Sequence, residues 1–109
     1  MLVRDEADII GPVLHHLHDQ GITQVLAWDN MSEDNTRNIL ELYGCHVVTD
    51  EDPGHDCGRK ATLMSHQARE VFGADWILRV DADEVFYVND GTLAEFFDRC
   101  EADVVRAYG

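Results

Sequence analysis

Apolar residues recur at two alternating periods along this chain. Met1-Leu2-Val3-Arg4 looks like the end of a short strand. Ile9, Ile10, Val13, Leu14 and Leu17 then fall at helical spacing, predicting a helix from about Asp5 to Gln20 with Gly21 as its stop. Pro12 lies inside that stretch, so it either kinks the helix or marks its true first position. Ile22 to Trp28 reads as a buried strand, and Asp34 to Tyr43, with Ile39, Leu40 and Tyr43 on one side, as a helix ending at Gly44. Cys45 to Thr49 is a short strand before the turn-rich Asp50 to Gly58. Arg59 to Phe72 is a third helix closed by Gly73, Trp76 to Val80 a strand, Thr92 to Cys100 a fourth helix, and Asp103 to Ala107 a last strand.

Strands separated by helices argue for a parallel sheet with right-handed crossovers, hence a three-layer α/β/α, Rossmann-like domain. With 109 residues, a single domain over 1–109 is expected. A strand as short as Met1 to Arg4 is a peculiar opening, so the chain either lacks its natural start or begins unusually close to its site. In a parallel sheet the loops at the carboxyl ends of the strands are Arg4 to Asp8, Trp28 to Asp34, Asp50 to Lys60 and Asp81 to Val85. The polar residues capable of chemistry cluster in those four loops, where open α/β sheets place their ligands.

The strongest local signal is Val80-Asp81-Ala82-Asp83-Glu84. Carboxylates at i and i+2 of a strand share one face, and paired hard oxygens suit Mg²⁺ or Mn²⁺ bridging to substrate phosphates. The same residues could equally form a solvated turn capping the next element. There is no Gly-x-Gly-x-x-Gly after the first strand and no Gly-Lys-Ser/Thr, so dehydrogenase and P-loop readings are disfavoured. Composition adds one constraint. Asp plus Glu number 22 against 8 Lys plus Arg, a formal charge of −14 that disfavours nucleic-acid binding but not a phosphorylated ligand joined through a cation. Cys45, Cys57 and Cys100 are too few for a disulfide framework, and no apolar run could cross a bilayer, which makes the cytoplasm the simplest setting. His15 and His18 have a spacing able to chelate zinc, but no Cys completes a set.

Taken together the motifs resemble family 2 glycosyltransferases of the A-type fold. Arg4-Asp5-Glu6-Ala7 looks like that family's Arg-Asn-Glu-Ala opening, and Asp29-Asn30-Met31-Ser32-Glu33-Asp34-Asn35-Thr36 is similar to its Asp-Asn-Gly-Ser-Thr-Asp-Gly-Thr loop. Gly58-Arg59-Lys60 fits its basic segment, and Trp76 to Phe86 its Trp-(apolar)-Asp-x-Asp-Glu-Phe (DXD) motif. The resemblance implies a donor site for a nucleotide-diphosphate sugar, a UDP-sugar foremost, with Mn²⁺ or Mg²⁺. It places Arg4, Asp5 and Glu6 beneath the base, Asp29 as acceptor of a base hydrogen bond, and Arg59 or Lys60 on a phosphate or the base. Asp81 would touch the ribose or the metal, and Asp83 would coordinate the metal. Glu84 is assigned to orienting the loop, and Ser32 and Asp34 to loop and cap positions. Asp5 departs from the usual Asn, and Met31 and Asn35 stand where Gly is common; Met in a left-handed conformation would be strained.

Only the donor-binding half is covered, so the domain is expected to be truncated and the acceptor-side catalytic base to lie outside the chain. A half-domain would expose an apolar sheet edge that invites a homodimer. Two alternatives stand beside the transferase: a non-catalytic sugar-nucleotide-binding module or remnant, and a haloacid-dehalogenase-type phosphohydrolase with Asp81 as nucleophile.

Overall fold

The computed structural model of the protein describes residues 1–54, 56–86, 88 and 90–101. Three parallel strands, β1 (Leu2–Val3), β2 (Leu26–Asp29) and β3 (His46–Thr49), pair in the order β1-β2-β3. The register sets Val3 and Thr49 on either side of Asp29. All three strands therefore end at one edge, as a parallel sheet requires. The helices are α1 (Ile10–Asp19), α2 (Thr36–Leu42), α3 (Cys57–Phe72) and α4 (Leu93–Arg99).

Strand alternation divides the interior into two layers. Val25 and Ala27 face α1 and α2, packing with Val3, Ile10, Val13, Leu14, Leu17 and Leu40. Leu26 faces α3 and packs with Met64 and Ala68, with Leu2, Trp28, Val48 and Phe72 at its margin. Burying the four apolar side chains of α1 contributes roughly 1.5–3 kcal/mol each. The α/β/α order expected from the sequence is thus present in the described residues, with helices on both faces of a parallel sheet.

Helix ends show where local chemistry decides. Helix α1 starts at Ile10, not Asp5, after a turn at residues 7–9. Pro12 is its third residue, where the missing N–H would have had no helical partner, so no kink is needed. Helix α3 begins two residues before the expected Arg59 because Asp56 caps it, accepting from the Arg59 N–H at 3.1 Å. It ends at Gly73, whose φ of 63° is left-handed, as a C-terminal stop requires. Thr92 caps α4 through the Glu95 N–H. Gly21 has φ 78°, and a Cβ there would lie 2.6 Å from the Ala94 Cβ, so glycine lets α4 dock on the end of α1. That dock is completed by Gln20, whose backbone and side-chain oxygens accept from Ala94 and Leu93.

The expected strand Trp76 to Val80 is not part of the sheet among the described residues. The period-2 pattern is correct: Leu78 and Val80 pack on the core while Ile77 and Arg79 face outward. What is missing is the ladder. β1 offers only two residues of edge, and a cleft of about 880 Å³, bordered by Met1, Ile22, Leu26, Ile77 and Leu78, lies beside it. The segment still runs alongside β1, with Arg79 and Asp81 close enough to act on the Met1 amino group and Asp83 on Glu6. Strand Ile22 to Trp28 is likewise shorter, starting at Leu26, and the expected strand Asp103 to Ala107 lies outside the described residues. Among the described residues no helix is long and apolar enough to cross a membrane.

The Met1 amino group donates to the Leu26 carbonyl at 2.7 Å, and burial pushes its pKa down from 8.0 to about 6. The unfolded chain then binds more protons than the folded one between pH 6 and 8, so this group makes stability rise with pH across that window. The full effect is at most about 2–3 kcal/mol by linkage. Urea unfolding from pH 5.5 to 8.5 should show this rise in the free-amino chain and lose it on N-acetylation; parallel pH profiles for the two forms would contradict it.

Candidate functional site at the carboxyl ends of the strands

Three of the four loops expected to converge do so through side chains that bind backbone. The Asp5 Oδ1 accepts from the Glu33 N–H at 2.8 Å and from the Asp34 N–H at 3.3 Å, while the Asp5 N–H donates to Ser32 Oγ at 3.0 Å. To reach both, Asp5 adopts φ 51°, a conformation Asp tolerates better than most residues. Glu6 donates its N–H to Thr36 Oγ1 at 2.9 Å, and Ala7 to Asp34 Oδ2 at 3.1 Å. Asp34 also accepts from Thr36, whose hydrogen bonds hold the Asp34 carboxyl below the ordinary range. One acid therefore serves the turn before α1 and the start of α2.

Asp29 is 3 % exposed at the end of β2. Its Oδ1 is taken by the backbone and hydroxyl of Ser32, and its Oδ2 lies 4.0 Å from Arg37 Nη1. The turn this stabilises puts Met31 at φ 52°, left-handed and 42 % exposed. The strain anticipated from Met in a glycine position is present; Asn35, at φ −84°, does not share it.

Beneath the loops lies a buried knot. Lys60 is 2 % exposed, and its ammonium donates to Asp50 Oδ2 at 2.6 Å and to the Asp52 carbonyl at 2.7 Å. The Asn30 amide donates to the same Asp50 oxygen at 2.9 Å and to the Asp52 carbonyl at 2.7 Å. Burial pushes the Asp50 carboxyl up, but the hydrogen bonds from Lys60 and Asn30 outweigh it and leave its pKa lowered. Arg59, by contrast, is exposed and reaches Asp52 at 2.9 Å and Asp56 at 3.5 Å. Of the two adjacent cations, the one at the surface is Arg59. Arg4 is also exposed and donates to Asn30 Oδ1 at 3.3 Å.

The fourth loop carries the paired acids. A tight turn over Asp81–Glu84 is closed by the Glu84 N–H on the Asp81 carbonyl at 3.0 Å, and by the Asp81 N–H on Glu84 Oε1 at 2.9 Å. Glu84 is thus a turn-former. Ala82 is 4 % exposed and anchors the turn in the core, while Asp81 and Asp83 are exposed. Asp83 approaches the first loop. Partial burial, then Asp83, then Asp8, Asp34 and Asp5 raise the pKa of Glu6. Past the turn, the Phe86 carbonyl meets His16 Nε2 of α1 at 2.7 Å.

Arg4, Asp5, Glu6, Asp29 and Asp83 are therefore gathered at one sheet end, with Arg59 at its rim. Asp81, exposed on the same turn as Asp83, also lies near enough to the Met1 amino group to raise its pKa. Lys60 lies below the surface. Asn30, Asp34, Thr36, Asp50, Arg37 and His16 hold the site, but sequence reasoning singled out only Asp34 as a cap. His15 pairs with Asp19 at 3.4 Å, while His18 packs against Tyr43. Among the described residues no group of three or more His, Cys, Asp and Glu is placed to hold a metal by itself.

The chain is similar to the glycosyltransferase AglJ of Haloferax volcanii, being 29% identical over an alignment of 104 residues that covers 91% of this chain and 33% of that protein. It thus spans about a third of the length of the curated relative it matches. No family model and no solved structure matches the chain.

Two outcomes test the geometry. Met31→Gly removes a left-handed Cβ cost of roughly 1–2 kcal/mol against a chain-entropy cost of about 0.5–1, so a net gain of about 0.5–1 kcal/mol is expected in urea unfolding. Asp50→Ala should cost roughly 3 kcal/mol by stranding the Lys60 ammonium, and Asp50→Ala with Lys60→Met should recover much of it. No recovery in the double variant would show that the cost lies elsewhere.

Proposed function

We propose that the chain is the donor-binding part of a family 2 glycosyltransferase with the A-type fold, taking a nucleotide-diphosphate sugar, a UDP-sugar foremost, with Mn²⁺ or Mg²⁺ at Asp81 and Asp83. The observation that carries this reading is the exposed Asp81–Glu84 turn beside the Arg4–Glu6 loop at the carboxyl end of a parallel sheet. Its similarity over 104 residues to a glycosyltransferase supports the same reading.

The donor set suits such a cation. Mg²⁺ and Mn²⁺ keep several waters and take one or two carboxylates plus substrate phosphates. Two exposed carboxylates on one turn, Asp81 and Asp83, match that small number of protein ligands. When bound, the cation supplies charge stabilisation to the departing diphosphate.

The remaining roles belong to side chains. Asp29 Oδ1 is engaged by Ser32, so a hydrogen bond from the base falls to Oδ2. Asp5 and Glu6 shape the floor through the bonds that fix their loop. The exposed Arg59 guanidinium exchanges its Asp52 and Asp56 partners for a phosphate, whereas Lys60 is a post under the loop. The phosphohydrolase alternative wants a lysine beside Asp81, and the chain's one lysine is buried on Asp50. The acceptor's base is not assigned to any residue here.

Thermal unfolding with nucleoside diphosphates, with and without Mn²⁺, tests the reading. One diphosphate should stabilise the chain only with Mn²⁺, by about 2.7 kcal/mol at a hundredfold excess over Kd, and Asp83→Ala should abolish the shift. Equal shifts without metal, or an unaffected Asp83→Ala, would contradict it. Sugar-donor hydrolysis then separates a transferase part from a binding module.

A further inference from the structure

We infer that His16, on α1, is a positioning residue for the acidic turn, acting through its hydrogen bond to the Phe86 carbonyl; this rests on the reading above. The residues from Ala74 to Phe86 carry the paired acids yet form no sheet ladder. Among the described residues their one hydrogen bond to the rest of the molecule is His16 Nε2 to Phe86 O, 2.7 Å long and spanning 70 positions of sequence. The bonds between Asp81 and Glu84 shape the turn but do not attach it.

Apolar burial supplies the rest of the attachment, through Leu78, Val80, Ala82 and Phe86. Such contacts hold a segment against the core but fix its position along its own length weakly, because burial is non-directional. A hydrogen bond is directional. A carbonyl can only accept, so the His16 bond also requires the proton to sit on Nε2. It pins the chain three residues beyond Asp83 to a helix whose start is tied, through the Glu6 carbonyl, to the Arg4–Glu6 loop. One rigid element thereby references both sides of the site: the loop under the base at its beginning, the acidic turn near its middle. His16 itself is half-buried, on a helix whose buried positions are Ile10, Val13, Leu14 and Leu17.

The test uses His16→Leu, which keeps apolar bulk and helix propensity but has no donor, and His16→Gln, whose amide nitrogen reaches a position similar to Nε2. Free Mn²⁺ is measured by electron paramagnetic resonance with UDP present, and amide exchange of residues 78–86 is followed without metal. His16→Leu should weaken Mn²⁺ retention about 10-fold, as loss of a supporting partner of a metal ligand does, and speed exchange in 78–86. His16→Gln should restore both. If the wild-type chain retains no Mn²⁺ with any nucleotide, the proposed function fails while the exchange measurement still decides the role of His16. Unchanged exchange in His16→Leu, or Mn²⁺ retention equal to wild type, overturns the inference, as does failure of His16→Gln to rescue.

Discussion

The ammonium of Lys60 is out of contact with water, and it holds Asp50 and the Asp52 carbonyl in place while Asn30 binds the same two acceptors. Through this knot, α3, the end of β3 and the loop after β2 become one body. Asn30 continues β2 and accepts from Arg4, so the loop after β1 is joined as well. A buried ion pair contributes little net stability compared with an apolar replacement, but breaking it is costly. Its effect here is to fix where the loops stand.

Above the knot, carboxylates order the loops. Asp5, Asp29 and Asp34 each spend oxygens on backbone N–H groups, which leaves a floor already ordered before any ligand arrives. At one edge the pKa of the Glu6 carboxyl is raised by partial burial and then by the nearby Asp83 and Asp8. That is an arrangement a divalent cation would relieve, and it gives the −14 charge of the chain a local meaning.

Much of this was readable from the residues. Helical spacing and Gly73 marked the end of α3, and the three-layer order followed from the alternation of periods. Met31 was marked as a residue standing where the resembled loop has glycine, but that it would keep a left-handed backbone was not readable, nor that Asp5 would adopt one. Lys60 was not readable, because lysine is almost never fully buried and its partner stands ten positions away. Nor was the lack of a ladder over residues 76–80. Period 2 reports which side chains face the core, whereas a ladder depends on the neighbouring edge, and β1 has only two residues to offer. His16 carried no signal at all, since its partner is a backbone carbonyl 70 positions on.

The central claim is that Asp81 and Asp83 hold a divalent cation against a nucleotide diphosphate, beside the loop of Arg4 to Glu6. Anomalous diffraction from crystals grown with Mn²⁺ and UDP locates the ion directly. The account predicts one Mn²⁺ peak bonded to the Asp81 and Asp83 carboxylates and to diphosphate oxygens. A diphosphate bound elsewhere, or bound at this edge with its Mn²⁺ touching neither aspartate, would contradict it.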